Sequence, residues 1–141
     1  MSNFDYAGDL NPQETWDLLK ANADSFLVDC RTAAEWQYVG VPDLDSIDRK
    51  IVFVEWQSFP MMEKNASFLS EISQTEIKKE SSIVLLCRSG ARSRSAAEFL
   101  TSYGYKSCYN CSDGFEGNHN DSGQRGELNG WKFSNLPWKQ S

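Results

Sequence analysis

The feature that most restricts the fold of this 141-residue chain is an apolar run that leads directly into a cysteine. The segment Ser82-Ile-Val-Leu-Leu86 is followed by Cys87, by a short loop that contains Gly90, and by a helical pattern that starts at Ala91. A short continuous apolar run is typical of a strand buried on both faces, as in the middle of a parallel sheet. A strand, a tight loop and a helix in this order predict an α/β domain.

The rest of the chain repeats this alternation. Three further strands are predicted, over 25–29, 51–56 and 106–110. Four helices are predicted, over 11–22, 33–38, 65–79 and 91–103. Asn11 is placed to cap the first helix, with Glu14 at the capping-box position, and Thr32 to cap the second. Together these elements predict one α/β domain over residues 1–141 with a mainly parallel sheet.

The composition changes near the end of the chain. Residues 113–130 are rich in Gly, Asn, Asp and Ser and have few apolar side chains, which predicts a polar loop. Residues 131–138 bring apolar side chains back and predict a tail that docks on the body of the domain. The side chains expected to dock are those of Trp131, Phe133, Leu136 and Trp138.

Charge and hydropathy narrow the expected partners and location. The formal net charge of −6 disfavours nucleic acid as a partner, because most of the surface would repel phosphate. No stretch approaches the roughly 20 apolar residues that a membrane-spanning helix needs. The N-terminus lacks the basic and apolar regions of a secretory signal. The sequence therefore predicts a cytoplasmic protein that binds neither nucleic acid nor membrane.

The remaining cysteines offer little chemistry of their own. A reducing compartment disfavours structural disulfides. Cys108 and Cys111 have CxxC spacing, but on a predicted strand residues three apart point to opposite faces. His119 is the only histidine of the chain. No metal site and no cofactor are therefore expected, and these thiols are interpreted as packing residues.

The loop after Cys87 is the candidate site. Ligands of open α/β sheets bind at the carboxyl ends of the strands. Loop N–H groups and the N-terminus of the next helix favour an anion there, and Arg88 and Arg92 add positive charge. Such an environment predicts a cysteine nucleophile that needs no general base. The alternative is that Cys87 only ends a core strand.

Three motifs carry a family resemblance. Cys87-Arg-Ser-Gly-Ala-Arg92 resembles the six-residue active loop of single-domain rhodaneses. Asp29-Cys-Arg-Thr-Ala-Ala-Glu35 resembles the upstream Asp-x-Arg-x-x-x-Glu signature of that family. Tyr109-Asn110 and the later Gly114-Phe115 resemble the stretch after its last core strand. The chain departs from the family at Cys30, where an aliphatic residue is usual.

The resemblance implies a rhodanese-like α/β fold, with about five mainly parallel strands and helices on both faces. It also implies a sulfurtransferase: Cys87 takes sulfane sulfur from a small anionic donor such as thiosulfate and passes it to a thiol or a cyanide-like acceptor. A protein is an alternative acceptor. The loop residues expected to cradle the persulfide are Arg88, Ser89, Gly90, Ala91, Arg92 and Ser93. Asp29 and Arg31 are expected to hold the loop, or else to form only a structural ion pair.

Two other functions remain open at this point. A rhodanese-type domain can act as a sulfur carrier or redox sensor instead of a fast catalyst. A cysteine phosphatase of the same fold is the other alternative. Such phosphatases place five residues between the nucleophile and the arginine, whereas four lie between Cys87 and Arg92. The shorter loop suits a sulfur atom better than a tetrahedral phosphate.

Overall fold

A computed structural model describes residues 6–58 and 61–140. The strands of its main sheet are β1 (Gly8–Leu10), β2 (Ser25–Asp29), β4 (Val52–Phe53), β7 (Ser82–Leu86) and β8 (Ser107–Cys111). Four short strands form two separate antiparallel ribbons: β3 (Val41–Pro42) with β9 (Trp138–Lys139), and β5 (Gln57–Ser58) with β6 (Glu63–Lys64). The helices are α1 (Pro12–Ala21), α2 (Ala33–Tyr38), α3 (Phe68–Ser73) and α4 (Ala91–Ser102), with a 3-10 turn at Asp45–Ile47.

The main sheet has the strand order β1-β8-β7-β2-β4, and its neighbouring strands are parallel. The strand β7 lies in the centre, as its continuous apolar sequence predicts. All five of its residues pair with β2, from Ser25 opposite Ser82 to Asp29 opposite Leu86. The carboxyl end of β7 therefore opens in the middle of the sheet edge, where the chain leads into Cys87.

Helices cover the sheet on both faces, as predicted. On one face, the alternate side chains of β2 and β7 pack with those of α3 and α4, including Phe68, Ile72 and Leu100. On the other face, Leu19 of α1 packs with Trp131 and other buried residues of the C-terminal region. No helix within residues 6–58 and 61–140 combines the length and the apolar character needed to cross a membrane.

Most predicted elements are confirmed within one or two residues, but two are much shorter than predicted. The strand predicted over 51–56 is regular only in β4, although the Val54 N–H still donates to the Asp29 carbonyl at 3.2 Å. The helix predicted over 65–79 is limited to α3. It ends where the Thr75 hydroxyl donates to the Ile72 carbonyl at 2.6 Å and accepts from the Ile77 N–H, a local pattern that competes with helix continuation.

The C-terminal tail docks only in part. Trp131 and Leu136 are buried as predicted, whereas Phe133 is 50% exposed, so the prediction for Phe133 is wrong. Trp138 is 39% exposed and belongs to β9, the strand that pairs with β3. Its ring makes a T-shaped contact with the ring of Phe115. The 113–130 segment consists of turns, bends and irregular backbone, but Phe115 within it is fully buried. The exposure of Phe133 and the burial of Phe115 both differ from the prediction, because packing against distant segments decides which aromatic side chains reach the core.

Candidate active site

Cys87 lies where β7 turns into α4, and it is 1% exposed. Its Sγ accepts hydrogen bonds from the backbone N–H groups of Gly90 at 3.2 Å and Ser93 at 3.3 Å. The Ser93 Oγ also lies 3.2 Å from this sulfur. Three polar groups therefore converge on Sγ at the N-terminal end of α4, where the peptide dipoles favour negative charge.

The contacts to the sulfur involve only part of the predicted cradle. Within the described residues, the backbone donors to Sγ are Gly90 and Ser93. The other loop residues surround this pair without a recorded bond to the sulfur; they are Arg88, Ser89, Ala91 and Arg92. The structure thus selects two of the six amides as the ones that hold the sulfur of the reduced cysteine.

Two glycines allow close packing around the loop. Gly90 has a φ of 110°, a left-handed conformation that residues with a side chain rarely adopt. A Cβ at Gly90 would collide with the carbonyl oxygen of Ser112. Gly114 has a φ of 71°, and a Cβ there would collide with the carbonyl group of Arg88. These glycines let residues 112–117 lie directly against the cysteine loop.

The same segment holds the loop by backbone hydrogen bonds. The Phe115 N–H donates to the Cys87 carbonyl at 2.8 Å. The N–H groups of Glu116 and Gly117 both donate to the Arg88 carbonyl, at 3.0 and 3.1 Å. The start of the polar segment therefore braces the cysteine loop. Its glycine content indicated a loop but gave no sign of this position.

A chain of polar side chains leads away from the sulfur. The Ser93 hydroxyl donates to Asn110 Oδ1 at 2.5 Å. Asn110 Nδ2 donates to Asp9 Oδ1 at 3.2 Å, and the Tyr6 hydroxyl donates to the same oxygen at 2.9 Å. A hydroxyl has one hydrogen, so the Ser93 hydroxyl accepts a hydrogen bond from the Cys87 thiol while it donates to Asn110. When Cys87 is an anion, rotation of this hydroxyl lets it donate to the sulfur instead. Sequence reasoning missed this role of Asn110, although the residue lies in one of the family motifs.

Arg92 does not supply the free positive charge that the sequence predicts. Its guanidinium forms a bidentate ion pair with Glu35, with distances of 2.7 Å from Nη1 to Oε1 and 2.9 Å from Nη2 to Oε2. Glu35 also accepts from the Thr32 N–H at 3.2 Å, within the capping box of α2. The pair therefore joins α2 to the first turn of α4. Arg88, in contrast, is exposed, and no ion pair of it is recorded within the described residues.

The ion pair of Glu35 gives a pH-dependent stability. Burial raises the pKa of the Glu35 carboxyl, but the hydrogen bonds and charge of Arg92 outweigh burial, so the pKa lies below its usual value. A carboxyl with a lowered pKa in the folded state stabilises the fold above its unfolded pKa of about 4.3 and loses this effect as the pH falls through the folded value. We expect Glu35→Gln to lower the free energy of unfolding by about 1–2 kcal/mol at neutral pH.

Urea unfolding of both proteins from neutral pH down to about pH 3.5 measures this effect. The wild type should lose stability more steeply than Glu35→Gln in the acid range. Glu98→Gln is the matched control, because the Arg94–Glu98 pair is longer, at 4.0 Å, and more exposed. Its curve should run parallel to that of the wild type. A parallel curve for Glu35→Gln would contradict the role assigned to the pair.

Asp29 and Arg31 form a fully buried ion pair beside the loop. Arg31 Nε lies 2.9 Å from Asp29 Oδ1, and Nη2 lies 2.7 Å from Oδ2 and 2.7 Å from the Gly40 carbonyl. The guanidinium carbon lies 4.4 Å from the centre of the Phe115 ring. Arg31 therefore packs on Phe115, and the N–H of Phe115 donates to the Cys87 carbonyl. The pair contacts the loop through Phe115, not through the sulfur.

A cleft of about 510 Å³ opens beside the loop. Its lining includes Arg88 and Arg92, and its other side chains include Glu35, Tyr38 and Met62. Tyr38 is 74% exposed and Met62 is 37% exposed. A larger cavity, of about 690 Å³, lies at the amino ends of the strands, far from Cys87. Of these two cavities, the smaller one lies beside the cysteine loop.

The other three cysteines are buried and reduced. Burial raises the pKa of Cys108 to about 11 and that of Cys111 to about 12, and the pKa of Cys30 is also raised, mainly by burial. Cys108 and Cys111 belong to the cores on opposite faces of the sheet, as their spacing on a strand predicts. Among the described residues, no cluster of three or more His, Cys, Asp or Glu side chains could hold a metal ion.

Comparison with known proteins establishes the family. The model of a family described as the STR4 middle domain matches residues 8–141. The chain belongs to this family of rhodanese-like domains. A thiosulfate sulfurtransferase of Haemophilus influenzae, GlpE, is 28% identical over 109 residues, which cover 77% of this chain and 85% of that protein.

Two nearer relatives of this rhodanese-like chain cover almost its full length. An uncharacterised protein of Rickettsia conorii is 48% identical over 126 residues, which cover 89% of this chain and 92% of the relative. The crystal structure of Rv0390 from M. tuberculosis is 43% identical and has a TM-score of 0.89, covering 96% of this chain and 99% of that one. The rhodanese-like fold expected from the three sequence motifs is therefore confirmed.

Proposed function

We propose that this protein is a sulfurtransferase that carries sulfane sulfur as a persulfide on Cys87. The observation that supports this most directly is the pair of N–H groups, from Gly90 and Ser93, that donate to the Cys87 sulfur at the head of α4. These donors favour negative charge on sulfur, and a sulfur anion is both the nucleophile and the carrier in such a reaction.

The reaction has two halves. In the first, the Cys87 thiolate attacks the outer sulfur of a donor such as thiosulfate, and sulfite leaves with the electron pair of the broken S–S bond. In the second, an acceptor thiolate or a cyanide-like nucleophile attacks the outer sulfur of the persulfide, and the Cys87 thiolate leaves. In the persulfide, the outer sulfur extends beyond Sγ toward the loop amides that do not contact the reduced thiol. Cys87 is the nucleophile, and the loop donors hold the charge in each half.

The surrounding residues have distinct roles in this proposal. Arg88 is exposed beside the cleft and attracts an anionic sulfur donor. Arg92 fixes the start of α4 through Glu35 instead of clamping the substrate. Asp29 and Arg31 support the loop indirectly, because Arg31 packs on Phe115, whose N–H donates to the Cys87 carbonyl. No cofactor or metal takes part in either half of this scheme.

The setting of the reaction follows from the same residues. Cys87 must be reduced to react, so the proposed reaction requires a reducing compartment such as the cytoplasm. The donor is a small anion, and the acceptor is a small thiol, a cyanide-like nucleophile or a protein thiol. The net charge of −6 argues against nucleic acid as a partner.

Intact-mass measurement tests the proposal. We expect wild-type protein treated with thiosulfate and desalted to gain one sulfur, about 32 Da, and to lose it when a thiol or cyanide is added. Cys87→Ser should gain no sulfur, whereas Cys111→Ser, which removes an equally buried thiol on the other face of the sheet, should load as the wild type does. Absence of loading from any sulfane donor would refute the proposal. A protein that loads fully but turns over slowly would be a carrier.

The phosphatase alternative finds no support in the position of Arg92. A phosphate clamp needs a free guanidinium, and that of Arg92 is engaged on both nitrogens by Glu35. We therefore expect no hydrolysis of an aryl phosphate that depends on Cys87. Such hydrolysis, if present in the wild type and absent in Cys87→Ser, would favour the phosphatase over the sulfurtransferase.

A further inference from the structure

Cys30 is the next residue after β2, and Cys87 is the next residue after β7. The register of these parallel strands places Asp29 opposite Leu86, and the Cys30 N–H extends the ladder by donating to the Leu86 carbonyl at 2.9 Å. Cys30 and Cys87 therefore occupy the next rung. Both belong to the buried cluster on the same face of the sheet.

The spacing at this rung suits a disulfide. Neighbouring strands lie about 4.8 Å apart, and the Cα atoms of disulfide-bonded cysteines are about 4.4–6.8 Å apart. The strands need not separate for the two sulfurs to join; it is enough that Cys87 Sγ turns from the Gly90 and Ser93 amides toward Cys30. The remaining thiols are placed differently, because Cys108 pairs with Ile83 near the other end of β7 and Cys111 lies on the other face.

The Cys30 thiol is inaccessible to reagents in solution but lies next to Cys87. It is 0% exposed. After burial, the largest influence on its pKa is the charge of Cys87, which raises it, followed by Asp29, which also raises it, and Arg92, which lowers it. Cys87 is thus close enough to Cys30 to raise its pKa, and the electrophilic sulfur that Cys30 can reach is Cys87 Sγ itself.

We propose that Cys30 is a resolving thiol that discharges the Cys87 persulfide as hydrosulfide, leaving an internal Cys30–Cys87 disulfide. The inference rests on the proposed function, because that function supplies the persulfide. It adds a second outcome for the bound sulfur, which is released in reduced form when no acceptor arrives.

The step balances without an external oxidant. Cys30 Sγ forms a bond to Cys87 Sγ, and the bond between Cys87 Sγ and the outer sulfur breaks. The electron pair leaves with the outer sulfur, which departs as hydrosulfide, and the Cys30 proton passes to solvent or to the leaving sulfur. The sulfane sulfur is reduced and the Cys30 thiol is oxidised. A dithiol reductant then restores both cysteines and is itself oxidised to a disulfide.

The rate of this step is limited by Cys30 itself. Because burial raises the pKa of Cys30, little of it is thiolate at neutral pH, and only the thiolate attacks. Transfer to an accessible acceptor thiol is therefore faster, and resolution dominates only when the acceptor is scarce. The pair acts as a slow discharge path, not as a competitor of normal turnover.

The test follows wild-type protein that has been loaded with thiosulfate, desalted and held without acceptor. We expect the mass increase of about 32 Da to be replaced over time by a mass about 2 Da below that of the reduced protein, with hydrosulfide captured by an alkylating trap. Peptide mapping without reductant should then show one cross-linked pair, joined through Cys30 and Cys87. This readout needs no variant and does not depend on the folding of one.

Variants then separate the two proposals. Cys30→Ala should load as the wild type does, keep its sulfur, and release hydrosulfide at least about tenfold more slowly. Cys108→Ala, which removes a buried thiol from the same cluster four residues farther down the sheet, should discharge as the wild type does. Equal discharge by Cys30→Ala, or discharge of the wild type without a cross-link, would overturn the resolving role and leave the sulfurtransferase intact. A wild type that never loads would overturn both.

Discussion

Replacing Asp29 with alanine is expected to lower the free energy of unfolding by about 3–5 kcal/mol, because it leaves the buried Arg31 guanidinium without its counter-charge. Both side chains of this pair are 0% exposed, so water cannot solvate the remaining charge. Among residues 6–58 and 61–140, the Gly40 carbonyl would be the one hydrogen-bond acceptor left to the Arg31 guanidinium. For a chain of this length, the loss corresponds to a fall in Tm of about 10–20 °C.

Thermal unfolding followed by circular dichroism measures this effect. The control is Asp45→Ala, because Asp45 pairs with Lys139 at 3.6 Å on the surface, where both side chains are more than half exposed. Exposed pairs of this kind contribute little, so the control should melt close to the wild type. If Asp29→Ala also melts close to the wild type, the buried pair does not hold this part of the fold.

Replacing Gly90 with alanine is expected to slow persulfide loading by about 100-fold, because the loop amides move away from the sulfur. The φ of 110° disfavours any side chain, and the new Cβ would collide with the Ser112 carbonyl, which is backbone and cannot rotate away. Relief of this collision must shift either the loop or residues 112–117. Both changes disturb the Gly90 N–H that donates to Cys87.

The rate of the mass increase with excess thiosulfate, quenched at timed intervals, measures loading. Gly123→Ala is the matched control, because Gly123 also has a positive φ, of 77°, but a Cβ there would meet no atom within 4 Å from the described part of the chain beyond its two neighbours. It should load as fast as the wild type. Rapid loading by Gly90→Ala would show that the Gly90 amide does not hold the sulfur in the reaction. Circular dichroism on both variants distinguishes a displaced loop from an unfolded protein.

The cysteine loop is held from two sides by different means. On one side, Phe115 and the residues after it donate backbone hydrogen bonds to the carbonyls of Cys87 and Arg88. On the other side, the ion pair of Arg92 with Glu35 ties the start of α4 to α2. The sulfur thus lies in a fixed frame, which keeps the donor geometry constant through both halves of the proposed reaction.

Local patterns in the sequence were sufficient for the central part of the molecule. The apolar run of β7, the glycine after Cys87 and the helix at Ala91 all act within a few residues, so they predict the strand, the loop and the candidate nucleophile without knowledge of the remaining chain. The capping boxes of α1 and α2 are equally local, and both helices begin where these predict.

Other features depend on residues that are distant in sequence, and no local pattern reveals them. The partner of Arg92 is 57 residues away, which is why the sequence suggested a free cation at the sulfur. The burial of Phe115 and the exposure of Phe133 follow from which surfaces the tail meets. Short strands such as β1 form only because a longer neighbour offers a free edge.

The apolar run ending in Cys87 therefore determined, by itself, that a buried strand presents a cysteine to a helix N-terminus. The tertiary structure alone decided what surrounds that cysteine, because strand order and register set its neighbours. They place Cys30 opposite Cys87 on the neighbouring strand, engage Arg92 with Glu35, and bring Asn110 to the hydroxyl of Ser93. These contacts come from parallel pairing and side-chain packing between distant segments, which the order of residues along the chain does not display.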